Sequence, residues 1–121
     1  MKENKLVDLS FQFAKDVISL VRELKEKRET IISNQIGRSG TSIGANINEA
    51  QYAQSKADFI SKLQIALKEA NETGYWLRLL VETGYIDKNL FEKLNEDCTR
   101  LRVMLITSCK TAKNNMSKDI L

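Results

Sequence analysis

Residues 55–84 read SKADFISKLQIALKEANETGYWLRLLVETG, and this stretch contains the pattern that decides the fold. Apolar and small residues recur in it at spacings of three and four, which places them on one face of an α-helix. The members of this face are Phe59, Leu63, Ala66, Ala70, Thr73, Leu77 and Leu80. Ser55 and Asp58 form an acidic variant of the capping box at the start of the run, and Gly84 is a predicted left-handed C-cap. The sequence therefore predicts a long amphipathic helix over residues 55–83.

Three further segments repeat this periodicity and are predicted as helices. They cover residues 5–28, 30–53 and 87–112, each with an apolar stripe opposite a charged face. Residues 113–121 lose the pattern and are predicted to fray. Because the connections are short, consecutive helices are expected to pack antiparallel. The predicted fold is all-α: a single domain over residues 1–121, folded as an up-down-up-down four-helix bundle.

The composition agrees with a small helical protein and excludes several kinds of active site. The chain has 121 residues, no proline and only five glycines, which leaves little room for the many turns of an all-β fold. It has no histidine, so it cannot contain a Ser-His-Asp triad, a Cys-His pair or a His-ligated metal. We therefore expect a non-enzymatic protein with no cofactor and no metal site; the alternative is an all-carboxylate metal site that includes Glu49, Glu69 and Glu72.

The cysteines and the N-terminal sequence indicate a cellular compartment. Cys98 and Cys109 lie on one predicted helix, separated along its axis by about 16 Å, which is too far for a disulfide. Free thiols are typical of a reducing cytoplasm. The N-terminal residues do not resemble a signal peptide, and no apolar run approaches the roughly 18 residues of a membrane span. We expect a cytoplasmic protein that does not associate with membranes.

The second predicted helix contains a stripe of glycines. Gly37, Gly40 and Gly44 follow one another at spacings of three and four, beside the apolar stripe. Each glycine costs roughly 1 kcal/mol in helix propensity, and close approach of a neighbouring helix would offset that cost. The alternative, a phosphate-binding loop, lacks both the GxGxxG and the GxxxxGK[ST] pattern and has no preceding strand. The spacing therefore favours close helix packing.

Four polar residues fall on otherwise packed faces: Arg38, Asn46, Glu49 and Glu72. We expect them to form a polar interhelical network, in which Arg38 pairs with a carboxylate and the Asn46 amide bonds across helices. The alternative is that they bind a ligand or nucleic acid. Trp76 lies outside the main stripe of its helix, where it either serves an interface or covers the edge of the bundle.

Basic residues are concentrated at the end of the chain. Residues 1–99 contain 14 Lys/Arg against 15 Asp/Glu, whereas residues 100–121 contain five against one. Such a segment can meet phosphate groups or another acidic partner. Alternatively, it is an ordinary solvated C-terminus whose cations match the helix dipole. The candidate nucleic-acid-binding residues are Arg100, Arg102, Lys110, Lys113 and Lys118.

Residues 38–49 have a more specific pattern, Arg-Ser-x-x-Ser-Ile-x-x-Asn-Ile-x-Glu. With its flanking sequence, this pattern resembles the four-helix-bundle family of 23S rRNA intervening-sequence proteins, also called S23 ribosomal protein-like. The resemblance spans roughly residues 5–110 and departs from the family at Ala50, where glycine is usual. The residues that carry it are 35–50, Ser55, Asp58, Phe59 and 69–77.

The resemblance implies a partner and an assembly. Members of this bacterial family tend to form ring-like homopentamers, and no catalytic residues are established for them. Some are encoded within insertions of 23S rRNA genes, which implies RNA or another nucleic acid as a partner. A related branch assists a reverse transcriptase, which implies a protein partner. Two hypotheses follow: an RNA-associated assembly protein that contacts phosphate, and a protein-interaction scaffold with no nucleic-acid role. The first is motivated by the resemblance and the basic C-terminal segment, and the alternative by the near-neutral charge of residues 1–99.

Overall fold

The computed structural model describes residues 4–120, with side chains up to residue 118, and its regular structure there is entirely helical. The four helices are α1 (Lys5–Glu26), α2 (Ile31–Ala50), α3 (Lys56–Glu82) and α4 (Lys88–Ile120). Each helix packs against the next along the chain, and α1 also contacts α4. The predicted all-α, antiparallel four-helix bundle is therefore confirmed.

The predicted apolar stripes meet along the axis of the bundle and form one core. Its largest completely buried side chains include one aromatic residue and aliphatic residues from all four helices. They are Phe13, Val17, Leu24, Ile36, Ile43, Ile47, Leu63, Leu77, Leu80, Leu94, Leu101 and Leu105. Ser39 and Thr73 are also completely buried, and their hydroxyl oxygens are hydrogen bonded at 2.9 Å between α2 and α3. This pair satisfies two polar groups that would otherwise destabilise the core.

The ends of α1 and α3 have the same hydrogen-bond pattern. At the end of α3, Gly84 has φ of 81°, and the Tyr85 N–H donates to the Leu80 carbonyl at 3.0 Å. This is a Schellman motif with glycine in the left-handed position, as the sequence predicts. At the end of α1, Arg28 occupies the left-handed position with φ of 63°. The Glu29 N–H then donates to the Leu24 carbonyl at 2.9 Å.

The chain turns directly from this motif into α2, and the Glu29 side chain caps that helix. One carboxylate oxygen accepts from the N–H groups of Ile31 and Ile32, both at 3.1 Å, and the other accepts from Ser33 N–H at 2.7 Å. The Ser33 hydroxyl in turn donates to the Glu29 carbonyl at 2.8 Å. Only 7% of Glu29 is exposed. A buried carboxylate therefore satisfies three of the four free N–H groups at the start of α2.

Helix α4 is longer than the sequence pattern predicts. It continues to Ile120, so the predicted frayed tail is wrong for residues 113–120, while Leu121 lies outside the described residues. The segment contains neither glycine nor proline to end the helix. Met116 is half-buried and lies in a shallow cleft with Ala57 and Ile60 of α3. Packing against the first turns of α3 thus extends α4 beyond the end of its regular apolar stripe.

Both cysteines are free and buried, and burial raises the pKa of each thiol. The pKa of Cys98 rises to about 11 because its surroundings disfavour a thiolate, and its Sγ donates to the Ala70 carbonyl at 3.3 Å. At neutral pH both thiols are therefore protonated core groups rather than nucleophiles.

Within the part of the chain that the structure describes, no helix contains an apolar run that could span a membrane.

Candidate nucleic-acid interface

The antiparallel fold brings distant segments of the chain together at one end of the bundle. The Asn4 amide donates to the Gln51 side chain at 3.0 Å, which joins the start of α1 to the end of α2. Lys113 of α4 lies in the same cleft as Ala57 and Ser61, near the start of α3. We call this part of the molecule the basic end and define it as residues 4–15, 41–69 and 100–118.

The basic end contains ten Lys/Arg against four Asp/Glu, a net charge of +6. Residues 16–40 and 70–99 contain eight Lys/Arg against ten Asp/Glu, a net charge of −2, and Asp119 follows the basic end in the sequence. The difference in net charge between the two ends of the folded molecule is thus larger than the difference between residues 1–99 and residues 100–121. Half of the cations at the basic end lie outside the predicted C-terminal segment: Lys5, Lys15, Lys56, Lys62 and Lys68.

The predicted C-terminal cations lie on the solvent side of α4 but do not form one line. Four of the five are exposed, whereas Arg102 is half-buried, with its Nε enclosed and unbonded. At about 100° per residue, Arg102 and Lys113 lie on one edge of the exposed face, Arg100 and Lys118 on the opposite edge, and Lys110 between them. Cations that are spread over the face in this way can attract a polyanion along the helix. They do not form a compact binding site for a single phosphate group.

The structure also explains the glycine stripe of α2. A Cβ atom on Gly40 would lie 2.8 Å and 2.9 Å from the two γ-carbons of Val17. A Cβ on Gly37 would lie 3.3 Å from Val21, and one on Gly44 would lie 3.3 Å from the Ser10 carbonyl oxygen. These glycines therefore allow the close approach of α1 and α2 that their spacing predicts.

The predicted polar network is present only in part. Arg38 forms ion pairs with Glu72 and with Glu69, the latter at 3.0 Å, and the Trp76 indole N–H donates to Glu72 at 3.0 Å. This cluster links α2 to α3 and places Trp76 at the half-buried edge of the bundle. Asn46 does not bond across helices as expected, because its amide donates to the Ser42 carbonyl of its own helix at 2.9 Å.

Glu49 is also outside the Arg38 cluster and forms a separate ion pair. Its carboxylate lies 3.5 Å from the ammonium group of Lys62, again between α2 and α3. Three carboxylates, those of Glu49, Glu69 and Glu72, are thus ion paired between α2 and α3. Within the part of the chain that the structure describes, no group of three or more His, Cys, Asp or Glu could hold a metal ion.

An apolar groove runs between α1 and α2 on the outside of the glycine contact. Its volume is about 390 Å³, and its lining includes Val7, Phe11, Ala14 and Ile18 of α1 and Ala45 of α2. Phe11 is 66% exposed and Ile18 is 44% exposed. Large apolar side chains that are grouped at a groove are typical of a protein-protein contact surface.

These features define a class of protein: a small antiparallel four-helix bundle with a polarised charge distribution and an exposed apolar groove between α1 and α2. The sequence matches the family described as 23S rRNA-intervening sequence protein over residues 2–107, and the chain belongs to this family. The predicted resemblance is therefore confirmed.

A solved structure is closely similar to this chain. It is the crystal structure of a protein of unknown function from the S23 ribosomal protein family of Bacteroides thetaiotaomicron. The two chains are 53% identical with a TM-score of 0.85, and the similarity covers 87% of this chain and 98% of the other. No functionally curated protein matches this chain.

Proposed function

We propose that this protein is a non-enzymatic RNA-binding assembly protein that contacts phosphate groups through its basic end. The observation that carries the proposal is the charge separation, a net charge of +6 at the basic end against −2 over residues 16–40 and 70–99. Positive charge on one part of a surface attracts the phosphate backbone and releases its counterions. Membership of the 23S rRNA-intervening sequence family supports RNA as the polyanion.

The first prediction concerns three exposed lysines of α4. Reversal of Lys110, Lys113 and Lys118 to glutamate should weaken RNA binding by roughly tenfold at moderate salt, because three phosphate contacts become repulsive. The slope of log affinity against log salt should also fall by about 2, since each phosphate contact contributes about 0.7 for a single strand. Fluorescence anisotropy with a labelled 23S rRNA fragment and an unrelated hairpin, over a series of salt concentrations, measures both quantities.

The matched control reverses three cations of the opposite end, Lys25, Arg78 and Lys88, which are exposed and give the same change in net charge. This variant should retain most of the affinity if the location of the charge matters. Equal losses in the two triple variants would contradict the basic-end model and leave only a general effect of net charge. If wild-type binding is lost above about 50 mM salt, RNA is not the partner.

We also propose that the chain assembles with further copies of itself through the apolar groove, in a ring of five by analogy with the family. Phe11 and Ile18 are exposed in the single chain and lie together in the lining of one apolar groove. Burial of such side chains contributes roughly 1.5–3 kcal/mol each. In a cyclic ring whose axis follows the bundles, all the basic ends would lie on one side and form a continuous positive surface.

The second prediction tests this groove. The double variant Phe11→Glu and Ile18→Glu should be a monomer of 13.8 kDa, because two buried charges would oppose association. Size-exclusion chromatography with multi-angle light scattering gives the mass of each species. Wild-type protein should have about five times that mass.

A matched variant alters two exposed apolar residues of α4, Val103→Glu and Ile106→Glu, whose exposures are 57% and 42%. It should assemble like the wild type. Equal masses for the wild type and the groove variant would exclude the groove as the interface. The same groove supports the second candidate function, a scaffold for another protein, and a partner retained after ribonuclease treatment would favour it.

A further inference from the structure

Tyr52 lies in the connection between α2 and α3, and its side chain is 81% exposed. The backbone around it is well defined by hydrogen bonds. The Tyr52 N–H donates to the Glu49 carbonyl at 3.0 Å, and the Ala53 N–H donates to the Ala50 carbonyl at 3.2 Å. Ser55 then caps α3 through its side chain. The aromatic ring is thus presented to solvent from a backbone that is held by hydrogen bonds.

Beside Tyr52 is an open polar crevice of about 470 Å³. Its lining includes the carboxamides of Asn48 and Gln54, and neither makes a hydrogen bond to the described residues. The two acidic side chains in its lining, Glu49 and Asp58, already have partners. Glu49 pairs with Lys62, and Asp58 accepts from the Gln54 backbone N–H at 3.2 Å. The free groups in the crevice are therefore one aromatic face and two carboxamides.

We propose that this crevice binds an unpaired base of single-stranded RNA, which stacks on Tyr52. Carboxamides carry both donors and acceptors and can bond the edge of a base, as Asn48 and Gln54 would here. Bases within a duplex are already stacked and paired, so only a loop, bulge or free strand can place one on this ring. The inference rests on the proposed RNA-binding function and specifies that the RNA bound at the basic end is single-stranded.

The position of the crevice supports a polynucleotide rather than a free nucleotide. Lys62 of α3 lines the crevice, while Ser61 lines a cleft with Lys113 of α4. The first turns of α3 therefore separate the stacking position from the cations of α4. A helix is roughly 10 Å across, so a strand of a few nucleotides can span from the Tyr52 ring to these cations. Stacking and phosphate contacts would then act on the same strand.

The test compares Tyr52→Ala with Tyr52→Phe in the full chain. An oligoadenylate of about 15 nucleotides serves as the single strand, and an RNA duplex of similar length serves as the comparison. Tyr52→Ala should weaken binding of the single strand roughly tenfold, which corresponds to one lost stacked base. Tyr52→Phe should keep the wild-type affinity because phenylalanine retains the stacking face. Affinity for the duplex should be the same in all three proteins.

Tyr75→Ala is the matched control, because Tyr75 is 60% exposed and lies on α3 away from the basic end. It should bind both RNAs like the wild type. If the wild type binds the single strand and Tyr52→Ala binds it equally well, the stacking site is wrong and the proposed RNA-binding function stands. Equal losses for Tyr52→Ala and Tyr75→Ala would also overturn the site. If the wild type binds neither RNA, the proposed function fails and the stacking site fails with it.

Discussion

Gly40→Val is expected to lower the free energy of unfolding by about 3 kcal/mol, through overpacking of the contact between α1 and α2. Even a Cβ atom at this position would lie within 3 Å of both γ-carbons of Val17. Valine has one strongly preferred rotamer in a helix, so Val17 cannot turn these carbons away at low cost. The helices would have to separate, and the contact of Gly37 with Val21 would loosen as well. Urea unfolding followed by far-UV circular dichroism measures the loss.

Gly74 provides the matched control for this substitution. It lies within α3, and a Cβ atom there would have no neighbour within 4 Å. Gly74→Val should change stability by less than about 1 kcal/mol, because valine is no worse than glycine in a helix interior. If the two variants lose the same stability, the close approach of the helices at Gly40 is not the cause of the loss.

Glu29→Ala should lower the free energy of unfolding by about 2–3 kcal/mol, because it leaves the start of α2 without its cap. The N–H groups of Ile32 and Ser33 would lose their acceptors in a buried position. The carboxylate also lies at the positive end of the helix dipole, which adds to its contribution. Glu29→Gln should lose less, since the amide retains one acceptor oxygen at this site. Thermal and urea unfolding of the three proteins give the comparison.

Glu26→Ala is a control three residues earlier in the same charged segment. Glu26 is exposed in the last turn of α1, where a negative charge is unfavourable to the helix dipole. Its removal should leave stability unchanged or slightly higher. A loss as large as that of Glu29→Ala would mean that general charge effects, and not the cap, stabilise this connection.

The sequence was sufficient for the parts of the fold that depend on periodicity. The stripe from Phe59 to Leu80 and its equivalents predict the helices and most of the core, because burial of one face dominates the energetics. The prediction that α4 ends near residue 112 was wrong, because the segment beyond it is stabilised by another helix rather than by its own periodicity. Met116 gains burial from α3, a tertiary contact that the local pattern does not contain. The cap by Glu29 is not predicted, because Glu29 ends the charged run of residues 25–29 and charged residues usually face solvent.

The candidate site was less predictable than the fold. The C-terminal cations are visible along the chain, but Lys5, Lys15 and Lys62 join them only when the helices fold back on one another. Antiparallel topology, once inferred, was the signal that could have revealed the whole basic end. Tyr52 carries no signal of its own in the sequence, since a single aromatic residue in a short connection is as often buried as exposed.

The separation of charge between the two ends has a kinetic consequence for encounters with a polyanion. In an antiparallel bundle the dipoles of neighbouring helices largely cancel, so the electric dipole moment of the molecule comes mainly from its side chains. An approaching polyanion exerts a torque on such a dipole and turns the basic end forward before contact. A larger share of encounters then occurs with the basic end facing the polyanion. The association rate constant is therefore higher than that of a neutral protein with the same contacts.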